Sequence, residues 1–220
     1  MTSIESESAA ADRAQTFLDW TKLNSKALTI GAVIVVFAAG IMWFYQRSQQ
    51  LQATQAERAL LQAKQSMSAG NLQLAQSDLQ KVYSKYGKTS AGVEAAMLLS
   101  QIDFDSGKFQ DGVTRLQQVA GTSAASSNQA TILSLEGDGY AQMGKLGEAA
   151  KSYQSAAAAT NLENEKAFQE SKAARAFQAA NDTAAARALW TKLLNDPKAQ
   201  AVAAEARVRL GELVARPAKS

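Results

Sequence analysis

Residues 133–156 read LSLEGDGYAQMGKLGEAAKSYQSA, and the pattern of this stretch recurs along the chain. Gly144 stands near its centre, between two segments rich in helix-forming residues. Steps of 37 residues from Gly144 lead to Gly70, Gly107 and Asn181. Gly and Asn accept a positive φ more easily than other residues, so each of the four positions predicts a break between two helices.

Around each break, equivalent positions carry side chains of similar size. The fifth residue after the break is small in every unit: Ala75, Gly112, Ala149 and Ala186. The ninth is large and apolar: Leu79, Leu116, Tyr153 and Trp190. The seventh residue before the break is again small: Ala63, Ser100, Gly137 and Ala174. Closely packed antiparallel helices place small residues opposite large ones, so each unit is predicted to be a helical hairpin.

This pattern resembles the tetratricopeptide repeat, a helical hairpin whose usual length is about 34 residues. Residues 133–156 match it best, although Glu136 stands where the family usually has Leu, as does Gln62 in the first unit. The predicted fold class is therefore all-α, a tetratricopeptide-like α-solenoid of four helical hairpins with a C-terminal capping helix. The predicted repeats lie near residues 56–92, 93–129, 130–166 and 167–198, and the cap at 199–215.

An uncharged run, ALTIGAVIVVFAAGIMWFYQ, occupies residues 27–46. A helix of this length covers roughly 30 Å, the thickness of a bilayer's hydrocarbon core. The run predicts one transmembrane helix, preceded by a short tail at residues 1–26 and followed by the solenoid at residues 47–220. Trp43 at one end, and Trp20 near the other, suit anchoring at the membrane interfaces.

Two other interpretations of this run are a buried core helix of a soluble protein and a cleaved signal peptide. A signal peptide has a basic leader and a cleavage site of small residues, whereas this leader contains four acidic residues and the run ends in bulky aromatics. The run therefore indicates an uncleaved anchor. Lys22 and Lys26 against Arg47 alone favour a cytoplasmic N-terminus.

Small residues on the membrane helix, Ala27, Gly31 and Ala38, form a face typical of helix–helix contact in membranes. Chance occurrence in an alanine-rich helix is the alternative. The sequence leaves both open.

The composition excludes several classes of chemistry. The chain has no Cys and no His, which excludes disulfides, thiolate catalysis, Cys/His zinc sites and histidine-based acid–base catalysis. Basic residues are spread along the chain without a cluster of interleaved aromatics, so no nucleic-acid binding is predicted.

Three motifs have a superficial likeness to functional sites. Residues 139–146 lack the hydroxyl of a phosphate-binding loop, because Leu146 stands at that position. Asp103 and Asp105 lack the spacing of a calcium loop. Glu136 and Asp138 are two apart on a predicted helix and are interpreted as a solvated pair. No catalytic residue, metal site, cofactor or small-molecule substrate is predicted, and the protein is not expected to be an enzyme.

A surface for protein partners is what remains. The first helices of such hairpins line the concave face of a solenoid. We expect partner-binding residues in two rows of that face: Lys64, Gln101, Asp138 and Arg175 in one, and Met67, Phe104 and Gln178 in the other, with Met97 nearby. Met and Phe there could bind apolar parts of a partner or belong to the core between hairpins, and the sequence leaves both open.

The arrangement as a whole resembles the YfgM-type family, ancillary subunits of the SecYEG translocon. The resemblance is most specific in KALTIGAV at residues 26–33, WFYQ at 43–46 and AFQAANDTAAARALWTKLL at 176–194. It implies a single-pass protein of the bacterial inner membrane with a cytoplasmic N-terminus and a periplasmic solenoid. The implied partners are translocon subunits and a membrane-anchored periplasmic chaperone. The alternative is an accessory or assembly subunit of another large inner-membrane complex, respiratory or photosynthetic.

Overall fold

The structure is a computed structural model that describes residues 25–215. The predictions for Trp20, Lys22 and nearly all of the tail lie outside these residues. The described helices are α1 (Ser25–Ser68), α2 (Leu72–Tyr86), α3 (Ser90–Asp105), α4 (Phe109–Ala120), a 3₁₀ helix (Ser123–Asn128), α5 (Gln129–Gln142), α6 (Leu146–Ala159), α7 (Glu163–Ala179), α8 (Thr183–Asn195) and α9 (Gln200–Ala215). No strand occurs among residues 25–215. The predicted all-α fold of four hairpins followed by a final helix is confirmed.

The chain divides into two compact units, residues 1–51 and 52–220. In the first unit, the apolar run forms part of α1. Its large side chains are exposed, and Phe37, for example, has 67% of its surface accessible to solvent. By length and composition this is the one described helix that could cross a membrane. Gly31 and Ala38 of the predicted small face are exposed, and the side chain of Ala27 lies outside what the structure describes.

The four predicted helix breaks in the second unit adopt one backbone conformation. Gly70, Gly107, Gly144 and Asn181 have φ values of 76°, 74°, 72° and 62°. In each, the N–H of the next residue donates to a carbonyl five residues back, as from Lys145 to Tyr140 at 2.9 Å. This is the hydrogen bond of a helix end closed by a left-handed residue. The recurrence of Gly and Asn therefore marks a repeated turn, as the sequence predicts.

The small and large columns pack against each other inside the hairpins. Leu79, Leu116 and Trp190 are fully buried and Tyr153 is nearly so. A Cβ added to Gly137 would lie 2.5 Å from the ring of Tyr153, so only a glycine allows this close approach. The hairpin cores thus form where the alternation of residue size predicts them.

Neighbouring hairpins share their cores as well. Leu99 of α3 belongs to the same buried cluster as Leu79 and Val82 of α2. At the end of the solenoid, Val202 and Ala206 of α9 join the cluster of Trp190. Each second helix is therefore packed between two first helices, and the core continues from one hairpin to the next.

Gln62 and Glu136, which stand where the family usually has Leu, lie in different surroundings. Gln62 is exposed, because no second helix precedes α1 among the described residues to cover it. Leu99, at the same position in α3, is covered by α2. Glu136, the equivalent residue in α5, is only 7% exposed. The interpretation of Glu136 and Asp138 as a solvated pair is therefore wrong for Glu136, which is buried.

Candidate protein-interaction face

The first helices of the second unit lie side by side, and polar pairs connect each to the next. We call the surface that carries these pairs the first-helix face. It contains Lys64 of α1, Gln101 of α3, Asp138 of α5 and Arg175 of α7, spaced 37 residues apart. Because a solenoid repeats its geometry, residues of one row meet equivalent positions on the following helix.

The two ends of this row form ion pairs of the same design. Lys64 pairs with Glu94 of the next first helix. Arg175 pairs with Glu205, with Nε–Oε1 and Nη2–Oε2 distances of 2.7 Å each. Both glutamates stand thirty residues after their partners and occupy equivalent repeat positions. The Arg175 pair is bidentate, the stronger form of such a contact.

Arg175 and Glu205 each shift the pKa of the other. The hydrogen bond from Arg175 holds the pKa of Glu205 below its usual value. The same bond raises the pKa of Arg175. The pair therefore carries both charges over the whole neutral pH range.

Asp138 connects α5 to α7 in a different way. Its Oδ1 accepts hydrogen bonds from Tyr153 Oη and Lys172 Nζ, both at 2.7 Å. Lys172 also donates to Ser134 Oγ at 3.0 Å and lies 4.5 Å from the centre of the Tyr153 ring. Burial, followed by the contact with Asp138, raises the pKa of Tyr153, which stays a hydrogen-bond donor. Asp138 is thus held by two partners.

Gln101 is the exception in the row. Its side chain is exposed and makes no hydrogen bond or ion pair with any described residue. The positions that hold Glu94 and Lys172 in the neighbouring pairs are Thr131 and Leu135 here, which carry no charge. We call Met97, Gln101, Thr131 and Leu135 the neutral patch. It interrupts a row whose other three positions are ion-paired.

The apolar residues of the second row face the core to different degrees. A Cβ added to Gly112 of α4 would lie 2.4 Å from the Phe104 ring, and one added to Gly139 of α5 would lie 2.9 Å from it. Phe104 therefore packs against both helices. Met97 is half-buried against the cluster that contains Leu116. Met67 is half-buried against the cluster of the first hairpin, which contains Leu79. Of the two interpretations that the sequence leaves open, the core one describes Phe104 best.

Gln178 is half-buried and connects α7 to α9. Its Nε2 donates to Glu212 Oε2 at 3.4 Å, while its Oε1 is buried without a hydrogen-bond partner in the described structure.

The acidic residues of the supposed chemical motifs have separate structural settings. Asp103 is 5% exposed and accepts hydrogen bonds from Arg115 Nη2 and Nε at 3.0 and 3.3 Å. Burial raises the pKa of Glu136. No group of three or more Asp or Glu that could hold a metal ion occurs among residues 25–215.

The burial of Glu136 was not predicted from the sequence. Nor were the pairs Lys64–Glu94, Asp138–Lys172 and Arg175–Glu205, which together we call the ion-pair ladder. The one available signal was the period itself, because Glu94 and Glu205 are three repeats apart, as are Lys64 and Arg175.

A family model described as a tetratricopeptide repeat-like domain matches residues 19–133 and 58–172. The chain belongs to the tetratricopeptide repeat-like domain family. Two crystal structures of the nearly identical TPR-like repeats of a protein described as a kinesin light chain, from Podosopora anserina, share the fold of these tetratricopeptide repeats. Both are 17% identical and cover 74% of this chain, with TM-scores of 0.55 and 0.56. The match covers 93% and 92% of those chains.

No curated protein matches the chain. The tetratricopeptide-repeat fold is typically a non-catalytic scaffold for protein–protein interaction. The first-helix face is accordingly the candidate site for protein partners.

Proposed function

We propose that this protein is a membrane-tethered scaffold that binds protein partners on its first-helix face, around the neutral patch. The observation that carries the proposal is the interruption of the ion-pair ladder at Gln101. Elsewhere in the row, charged groups already have partners within the chain. A partner that binds there must break or compete with those pairs, whereas Gln101 has free hydrogen-bonding groups and half-buried Met97 and Leu135 beside it.

The tether is the apolar part of α1. Its length, its lack of charge and the exposure of its side chains all suit a bilayer. The lysines at positions 22 and 26, against Arg47 alone, favour a cytoplasmic N-terminus. The membrane proposed is the bacterial inner membrane, which the resemblance to the YfgM-type family implies. The tetratricopeptide repeats then lie in the periplasm.

We further propose that the partners belong to the protein-translocation machinery. The resemblance of the anchor and last hairpin to the YfgM-type family supports this assignment, with translocon subunits and a membrane-anchored periplasmic chaperone as partners. The neutral patch suits uncharged, partly apolar segments, which emerging chains and chaperone surfaces both present.

Photo-crosslinking in living cells tests the proposal. A photoreactive amino acid replaces Gln101, and a matched control replaces Gln154, an exposed glutamine of the second helix α6. We expect adducts to translocon subunits, the chaperone or secreted chains from position 101, and few from position 154.

Equal adducts from both positions would remove the first-helix face as the binding site. Adducts from position 101 to subunits of one respiratory or photosynthetic complex would instead make the protein an accessory subunit of that complex.

A further inference from the structure

The last described helix, α9, has the position of a first helix, and no second helix follows it among residues 25–215. Its inner side, with Val202, Ala206 and Leu213, packs into the cluster of Trp190 and Leu193 on α8. The opposite side is exposed, with Val208 at 61%. The exposed residues at helical spacing are Ala201, Ala204, Val208, Gly211 and Ala215. A terminal repeat usually has a polar outer face, and this one is apolar.

The same positions in the preceding first helices form a buried interface. Three of the four residues equivalent to Gly211, namely Ala63, Ser100 and Ala174, are 0% exposed. Those equivalent to Ala204 include Ala56, Val93 and Ala167, which are at most 5% exposed. Each of these three shares a buried cluster with the large residues of its own second helix. On α9 that interface is continued, but it has no second helix among the described residues.

Gly211 shows the difference most directly. At the equivalent Gly137, an added Cβ would lie 2.5 Å from the Tyr153 ring, whereas at Gly211 no described atom lies within 4 Å. A glycine inside a helix costs about 1 kcal/mol relative to alanine. At position 137 the close packing of Tyr153 offsets that cost, and at position 211 nothing described does.

We infer that α9 binds an amphipathic helix of a partner protein, which completes a fifth hairpin. The four second helices of this chain specify its chemistry. Each has a small residue, a large apolar one four positions later and an apolar one three positions after that, as in Ala186, Trp190 and Leu193. The partner helix places its large side chain over Gly211, between Arg207 and Glu212 at the two edges of the face.

A second copy of the chain is a poorer occupant. The exposed face of its own α9 has only small residues and one valine, so two such faces would bury little apolar area. This site is separate from the neutral patch and independent of the function proposed above.

The probe is a lactam-bridged peptide with the sequence of residues 182–195 and a fluorescent label, whose helicity is established by circular dichroism. The full chain in detergent micelles is titrated against it, and binding is followed by fluorescence anisotropy. We expect saturable binding that falls at least ten-fold for Gly211→Leu, because the added side chain fills the place of the probe's Trp190. A Trp190→Ala probe should bind at least ten-fold more weakly to the unmodified chain.

Gly147→Leu is the matched control, since Gly147 is also helical with no described atom within 4 Å of its Cβ position. It should leave binding unchanged. Absence of saturable binding by the helical probe, or equal binding to Gly211→Leu, overturns the inference. A dimer in sedimentation velocity that Gly211→Leu dissociates would overturn it in favour of a second copy.

Discussion

At the scale of single residues, the repeat positions that break the family pattern are the informative ones. Glu136 stands where α3 has the buried Leu99, and it is covered to a similar degree. Burial disfavours the charged form of a carboxyl group and raises its pKa, as it does for Glu136. The charged form of this residue therefore costs stability at neutral pH.

The first prediction concerns this carboxylate. Burial raises the folded-state pKa of Glu136 above the ordinary value of a glutamate. The stability that its protonated form contributes is therefore fully present below the unfolded pKa and is lost as pH rises through the folded pKa. Glu136→Gln should raise the free energy of unfolding at pH 7 by at most about 1 kcal/mol, because it removes a negative charge that is only partly desolvated and so partly screened by solvent. Thermal unfolding at pH 7 and pH 4 measures this.

The gain should shrink toward pH 4, where the carboxyl of the original protein takes up its proton. Glu57→Gln, at an exposed position inside α1, is the control and should change stability at neither pH. A gain for Glu136→Gln that is the same at both pH values would contradict the explanation.

The second prediction concerns Trp190 of α8, which is fully buried against residues of α7 and α9. Trp190→Ala should lower the free energy of unfolding by roughly 3 to 5 kcal/mol, because it removes a large apolar side chain and leaves a cavity. Denaturant unfolding measures the loss. Phe168→Ala, at a half-exposed aromatic, serves as the control and should cost less than about 1 kcal/mol.

At the scale of helices, the first-helix face is built by pairs that join each helix to the next. Lys64 and Arg175 at first suggest free charges available to a partner, yet both are paired within the chain. Charge reversal at these positions therefore alters the solenoid itself. Such a change is expected to lower stability as well as to affect any partner bound there.

The third prediction follows from the bidentate pair. Arg175→Glu should lower stability by roughly 1 kcal/mol, because exposed pairs contribute up to about that much and the change also brings two carboxylates together. The effect should concentrate in α9, where amide hydrogen exchange of residues 200–215 should become faster. Exchange measured by mass spectrometry tests this.

The double variant Arg175→Glu with Glu205→Arg restores the opposite charges and should recover most of the loss. If the double variant is less stable than Arg175→Glu alone, the pair does not connect α7 to α9 in solution.

At the scale of the whole molecule, an apolar helix and a solenoid of tetratricopeptide repeats belong to one chain. Each repeat unit buries its faces only against neighbours, so the solenoid has a core without needing the apolar run. The two compact units agree with this division. The apolar run is thereby left free to enter a bilayer.

The fourth prediction concerns topology in the bacterial inner membrane. Protease added to spheroplasts should digest the chain after Arg47, because the repeats are proposed to lie in the periplasm. Immunoblotting against the C-terminus measures the loss, with a known cytoplasmic protein as the protected control. A solenoid that resists digestion while a periplasmic control protein is degraded would reverse the proposed orientation.

The hairpins, their breaks and the apolar run follow from the amino-acid sequence alone. These features depend on residue size, helix propensity and the positive φ at Gly144 and its equivalents, which are local properties repeated every 37 residues. Three features are visible only in the folded chain: the pair of Arg175 with Glu205, the burial of Glu136, and the exposure of Gln101 and of the outer side of α9 among the described residues. Contacts between neighbouring helices depend on how far each side chain reaches and on what covers it. The repeat pattern of the sequence does not specify these contacts.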